Sequence, residues 1–159
     1  MDNIKFLQAE HSEEHFLILR DIHRNAMYDS IVNTMGKWDD EFQKNRLQKH
    51  FEVAFNTLEF ILKDDKIIGS INCRKKEFTD GEFNFIEQFY LLPEEQKKGI
   101  GKYVLNLKLT NNETRLTVLK NDTKNQGFYI ANGFVEYQED EYQKFFKKTP
   151  TPVKKNKPN

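Results

Sequence analysis

The sequence predicts an α+β fold, with a mixed and mostly antiparallel sheet of six to seven strands flanked by about four helices. Three observations predict it. The front third carries apolar residues at helical spacing, and the middle holds three β-like runs separated by turn residues. The back half alternates a strand, a glycine-opened helix and another strand, and then closes with a short helix and two more strands.

Taken in order, Ile4 to Ala9 reads as the first strand. Ser12, with Glu13 and Glu14 behind it, caps a helix bearing Phe16, Leu17, Leu19, Ile22 and Met27. Gly36 interrupts that pattern. Asp40-Glu41-Phe42-Gln43 then matches a capping box, so Phe42, Leu47 and Phe51 are expected along one face of a second helix. Leu58 to Lys63 and Lys66 to Arg74 join at Asp64-Asp65, and Phe83 to Leu92 follows Thr79-Asp80-Gly81; these three runs form an antiparallel meander. Pro93 ends the third of them. Gly99 and Gly101 open a helix carrying Ile100, Val104, Leu105, Leu107 and Leu109, and Arg115 to Leu119 resumes β character. Asp122 to Asn132 is a short helix closed by Gly133, and Phe134 to Gln138 and Tyr142 to Phe146 complete the sheet.

A chain of 159 residues fits one domain, expected over residues 1–148. Residues 149–159 hold Pro150, Pro152, Pro158 and three lysines with almost nothing apolar, so a mobile basic tail is expected there. Fourteen phenylalanines predict an aromatic-rich core. The 25 acidic and 25 basic residues cancel, which leaves no global field to draw the protein onto nucleic acid or an anionic membrane, and neither is expected as a partner. Cys73 stands alone, the first ten residues do not read as a signal peptide, and no apolar run approaches a membrane span; a cytoplasmic protein is the expectation. His11 and His15 lie one helical turn apart without further ligands in a recognisable spacing, so no metal site is expected. Cys73, within a β-like run, reads as a small buried side chain rather than a nucleophile.

The chemistry concentrates at Gln96-Lys97-Lys98-Gly99-Ile100-Gly101. Two glycines let the backbone turn tightly where a strand gives way to a helix, and the first amides of that helix lack partners. Together with the macrodipole they form an anion site suited to a pyrophosphate, with Lys97, Lys98 and Lys102 adding charge. By spacing alone the segment is equally a glycine turn into a helix; it has neither the GxGxxG nor the GK[ST] pattern.

The run from Phe89 to Gly101 resembles the GNAT N-acetyltransferase superfamily, whose signature is Arg or Gln, two residues, Gly, one residue, then Gly or Ala, entered from a strand. Downstream, Leu119-Lys120 and Phe128-Tyr129-Ile130-Ala131-Asn132-Gly133-Phe134 resemble that superfamily's late strand and FY-xxx-GF helix ending. Trp38 to Gln43 loosely resembles a bacterial subgroup. The resemblance implies acetyl-CoA as co-substrate, its pantetheine arm lying beside the signature strand at Phe89 and Leu91 like an added strand. It implies a bulge near Phe89 that splays this strand from the next. Leu91, Gln96, Lys97, Lys98, Gly99, Ile100, Gly101 and Lys102 would line the cofactor path, the last six mainly through their amides, and Asn125 would contact the cofactor.

Attack on a thioester needs an amine that has lost its proton. Alternation along the strand puts Glu87 on the face of Phe83, Phe85, Phe89 and Leu91, which makes it the candidate general base, directly or through water; pairing with a cation at an edge is the competing reading. The resemblance gives Tyr129 the role of proton donor to the departing thiolate, against plain aromatic packing. Trp38 and Asp39 are candidates for binding an ammonium-bearing acceptor, while Asp40 reads as a cap. The expected activity is acetyl transfer to a primary amine by direct attack, in a monomer or homodimer. The acceptor is open among a polyamine, an aminoglycoside, an amino acid and a protein amine. A catalytically silent acyl-CoA-binding module is the alternative from another class, and a nucleotide-triphosphate binder is a third.

Overall fold

The computed structural model describes residues 3–150. Seven strands form one sheet: β1 (Ile4–Gln8), β2 (Leu58–Lys63), β3 (Lys66–Phe78), β4 (Gly81–Leu91), β5 (Thr114–Leu119), β6 (Val135–Glu139) and β7 (Gln143–Lys148). Four helices join them: α1 (Glu13–Met35), α2 (Asp40–Ala54), α3 (Ile100–Lys108) and α4 (Thr123–Ala131). The strand order is β1-β2-β3-β4-β5-β7-β6, antiparallel throughout except for β4 beside β5. The expected α+β class, strand count and meander therefore hold. No helix among the described residues is long and apolar enough to cross a membrane. Of the expected tail, residues 151–159 lie outside the described residues.

The sheet separates two cores. On one face Phe16, Leu19, Ile22, Leu47 and Phe51 of α1 and α2 close over Leu58 and Phe60. On the other, Val104, Leu105 and Tyr129 of α3 and α4 close over Ile71, Ile86, Leu116 and Phe146. α1 runs past Met27 to Met35 and ends where Gly36, at φ 84°, turns left-handed and donates its N–H to the Val32 carbonyl. The cap of α2 is Asp39, one residue earlier than expected, and it accepts from the Phe42 amide at 3.0 Å. The buried stripe runs through Gln43, Leu47 and Phe51 at four-residue steps, and Phe42, about 100° round the helix from Gln43, is 53% exposed, so Phe42 is not a core residue of this helix.

The pairing of β4 positions the site. Asn84, Phe85 and Ile86 pair with Thr114, Arg115 and Leu116, and there the parallel ladder stops. On the other side Asn72 faces Gln88 and Cys73 faces Ile86, so Glu87 is an extra residue in β4. The bulge is fixed from the β3 side: the Asn72 amide, 1% exposed, donates to the Ala54 carbonyl at 3.1 Å, and its oxygen accepts from the Thr57 hydroxyl at 2.6 Å. Beyond the bulge β4 continues with β3 while β5 continues with β7, and a V-shaped opening separates them.

Candidate active site

The segment after β4 makes the turn. Pro93–Glu95 is a short 3-10 turn, Lys97 follows at φ 63° and Gly99 at φ 81°, and α3 begins at Ile100. Gln96 donates its amide to the Pro93 carbonyl at 3.2 Å, and Tyr103 is the first residue to bond back into the helix, to the Gly99 carbonyl at 3.1 Å. The amides that open α3 before Tyr103 are the donors a helix start leaves without intrahelical partners, and they crowd around a glycine-lined turn. The Gln96 side chain braces it, donating to the Leu91 carbonyl at 2.9 Å and accepting from Lys124 at 2.6 Å.

A slot of about 500 Å³ runs from this turn along the free side of β4. Phe89 and Leu91 line it from β4, Gln96, Lys97 and Gly99 from the turn, Gly101 and Lys102 from α3 and Asn125 from α4, and Ala26 of α1 closes one wall. Eight of the ten cofactor candidates thus meet in one place. Lys98 and Ile100 do not line it: Ile100 is buried in the core at 3% exposure, and Lys98 turns to Glu95 at 3.7 Å. Gly101 keeps the slot open, because a Cβ there would stand 3.2 Å from the Phe128 ring. Asp122 caps α4, accepting from the Asn125 amide at 3.1 Å, the Asn125 side chain at 2.7 Å and the Ser30 hydroxyl at 2.6 Å. Asn125 is thereby held rigidly at the slot wall.

A second cleft, of about 600 Å³, lies on the α1 and α2 side of the opening. Phe89, Tyr90, Asn125 and Tyr129 line both cavities, so the slot and the cleft meet at these four residues. Tyr129 is 8% exposed, and burial pushes its phenol well above the ordinary value, with Tyr90, Cys73 and Asp122 adding to the effect. It stays protonated at neutral pH and can donate. Burial raises Tyr90 likewise, against the pull of Arg46.

Glu87 lines the second cleft but not the slot. The bulge resets the alternation: Glu87 shares a face with Phe83 and Phe85, while Phe89 and Leu91 pack against the opposite core, which corrects the single face read from the sequence. Arg74, on β3, binds both carboxylate oxygens, Nε to Oε2 at 2.5 Å and Nη2 to Oε1 at 3.1 Å. His50 Nε2, from α2, lies 3.4 Å from Oε2 without making a hydrogen bond, and it is buried without another partner. Burial lowers the His50 pKa, offset in part by Glu87, and Arg74, Arg46 and Lys76 lower it further. His50 is therefore a neutral imidazole at neutral pH, next to a carboxylate.

The structure places the remaining candidates away from the opening. Asp39 caps α2 and lines neither cavity. Trp38 stacks between His23, at 5.5 Å, and Tyr28, at 5.6 Å, one layer behind the cleft that His23 lines. Cys73 is partly buried, and burial pushes its thiol up to about 11. His11 lies 2.5 Å from Glu52, and His15 accepts from the Glu10 amide at 2.8 Å. The reading of the sequence missed His23, Arg46, His50 and Tyr90. Three of these come from α1 and α2, far from the glycine turn in sequence, and only Tyr90, neighbour to Phe89, lay within the segment that drew attention.

Comparison with known proteins agrees with this geometry. A search of curated proteins finds no match. The acetyltransferase (GNAT) domain model matches residues 56–136, from just after α2 to the start of β6. Among solved structures, the PH1933 protein of Pyrococcus horikoshii OT3 superposes with a TM-score of 0.74 at 19% identity, covering 94% of this chain and 99% of that one. The paia N-acetyltransferase of Thermoplasma acidophilum, in complex with coenzyme A, gives 0.68 at 21% identity, covering 92% and 98%. Arabidopsis thaliana Naa50, bound to the bisubstrate analogue CoA-Ac-MVNAL, gives 0.57 at 17% identity, covering 92% and 99%. At these identities the structures speak for the fold alone, and the domain match carries the family. The chain belongs to the GNAT acetyltransferase family and is an acetyl-CoA-dependent N-acetyltransferase.

Proposed function

We propose that this enzyme holds acetyl-CoA in the slot between β4, α3 and α4 and transfers the acetyl group directly to a primary amine entering from the α2 side. The observation that carries the proposal is the junction of two cavities at Phe89, Tyr90, Asn125 and Tyr129, where β4 leaves β5. In this reading the pyrophosphate rests on the amides of the Lys97 to Lys102 turn, and the pantetheine arm follows the strand edge past Leu91 and Phe89. The paia enzyme was solved with coenzyme A, which fits the same use of the fold.

The amine nitrogen attacks the thioester carbonyl and its proton leaves toward Glu87. Because Arg74 occupies both oxygens of that carboxylate, the proton passes through His50 or a water, and Glu87 stabilises the imidazolium that forms. The carbon–sulfur bond then breaks and Tyr129, protonated at neutral pH, donates to the departing thiolate. No acyl-enzyme is needed, in keeping with the raised thiol of Cys73. Trp38 has a supporting place here, holding His23 against the cleft.

Titration calorimetry with acetyl-CoA and a thiol-release assay across an amine panel test the proposal together. Gly99→Val combined with Gly101→Val should abolish cofactor binding, since Gly99 sits at φ 81° and Gly101 borders Phe128. Tyr129→Phe should lower kcat by about 10- to 100-fold and leave cofactor affinity unchanged. Unchanged binding in the glycine double variant, or unchanged kcat in the tyrosine variant, defeats the corresponding assignment.

A further inference from the structure

The charges around the acceptor cleft do not match those of the whole chain. The chain is balanced, with 25 acidic and 25 basic residues, yet the cleft is lined by Arg46 and Lys49 of α2 and by Lys76 of β3, with His23 and His50 beside them. Its one acidic residue is Glu87, and Arg74, which does not line the cleft, already neutralises it through both oxygens. Among the described residues no ion pair engages Arg46, Lys49 or Lys76. Lys76 is held in place over the Phe85 ring, 4.5 Å from its centroid, and Phe85 also lines the cleft. The remaining polar lining, which includes Gln43, Gln88 and Thr117, brings no negative charge, and the side-chain oxygen Oε1 of Gln88 is buried without a partner among the described residues.

A cationic rim in a cleft of about 600 Å³ attracts anions and repels a second positive charge. The reacting amine itself must shed its proton, so the rim does not oppose the chemistry; it selects what else the acceptor carries. The charges also act on one another across a shared space, since Arg46 lowers the pKa of both His23 and His50, and Lys76 lowers that of His50. We propose that the acceptor is a small amine whose body carries a carboxylate or a phosphate, its anionic group held by Arg46, Lys49 and Lys76 while its amine points to the junction at Tyr129. A polyamine, whose further ammonium groups would face these three cations, is the wrong charge for this cleft. The size of the cleft suits a small molecule.

This inference rests on the transfer reading above, and binding and turnover separate the two. Ligand-observed NMR with the CoA-loaded protein reads charge preference without turnover, using glutamate and glucosamine 6-phosphate against glutamine, glucosamine, spermidine and a pentapeptide beginning with glutamate. The acidic small amines should bind at least 10-fold tighter than their neutral counterparts and than spermidine, and which of the two binds better tells carboxylate from phosphate. Arg46→Gln with Lys49→Gln should weaken that binding at least 10-fold, while calorimetry of acetyl-CoA stays unchanged. In the thiol-release assay the same double variant should raise KM for the acidic amine rather than lower kcat. Tighter binding of spermidine, equal binding of acid and neutral counterpart, stronger binding of the peptide, or no binding by any acidic probe overturns the inference. Binding of the acidic amines without any thiol release would leave the charge preference standing and defeat the transfer reading.

Discussion

His23 shows at the scale of one residue how the second cleft is built at some expense to the fold. Its ring lies 5.5 Å from Trp38 and 5.4 Å from Tyr90 and is 6% exposed. Burial, helped by Arg46, lowers its pKa from 6.5 to about 4. Between those two values the unfolded chain binds a proton that the folded one refuses, so stability falls as pH drops from 6.5 toward 4 and is untouched by this group above 6.5. A depression of this size corresponds to roughly 3 kcal/mol across the full interval. Urea melts at pH 7.5 and 4.5 should therefore show wild type losing about 2 kcal/mol more than His23→Leu, since carboxylates contribute to both alike. Parallel losses would mean the imidazole titrates normally. None of this was legible in the sequence, where His23 is one polar residue on an apolar helix face; its burial depends on Trp38 and Tyr90 arriving from elsewhere in the chain. Glu87 was legible as a residue but not in its setting, because Arg74 and His50 reach it only through the β3 pairing and the packing of α2.

At the scale of elements, the V between β4 and β5 needs a closed end as well as an open one. Arg115 closes it. Its side chain, 5% exposed, grips Asp80 through two nitrogens at 2.9 and 2.6 Å and Glu113 at 2.7 Å, and its guanidinium lies 3.9 Å from the centre of the Phe83 ring. The turn between β3 and β4 is thus tied to the start of β5, opposite the bulge. Arg115→Leu removes the stack and leaves Glu113 without its partner, and Tm should fall by roughly 5 °C in calorimetry. A shift under one degree would show that strand pairing alone holds the closed end. The strands themselves were readable from alternation and turn residues, and the glycine turn from its two glycines. The bulge was expected only through resemblance, and two residues later than it occurs, because its position is set by Asn72 bonding to Ala54 and Thr57 across the sheet.

For the whole molecule, the matched domain covers residues 56–136, so β4, β5, α3 and α4 fall inside it while α1 and α2 fall outside. The slot is built almost wholly from the matched part, whereas two of the three cations of the second cleft, Arg46 and Lys49, come from α2 and the third, Lys76, from β3. The slot was legible in the sequence and the second cleft was not, since a backbone-lined turn leaves a glycine pattern whereas a pocket of scattered side chains leaves none. The slot touches α1 at Ala26, β4, α3 and α4 at once, an arrangement that exists only in the folded chain. A ligand of this kind stabilises by mass action, by about 2.7 kcal/mol at 100 times Kd, which in a protein of this size raises Tm by roughly 5–10 °C. Acetyl-CoA and free CoA should both produce this shift in differential scanning fluorimetry, because they share the pyrophosphate and the pantetheine arm. ATP with magnesium should not. Arg46→Gln with Lys49→Gln should keep the shift, and Gly99→Val with Gly101→Val should lose it. A shift that survives the glycine changes, or that ATP reproduces, would place the cofactor somewhere other than the opening between β4 and β5.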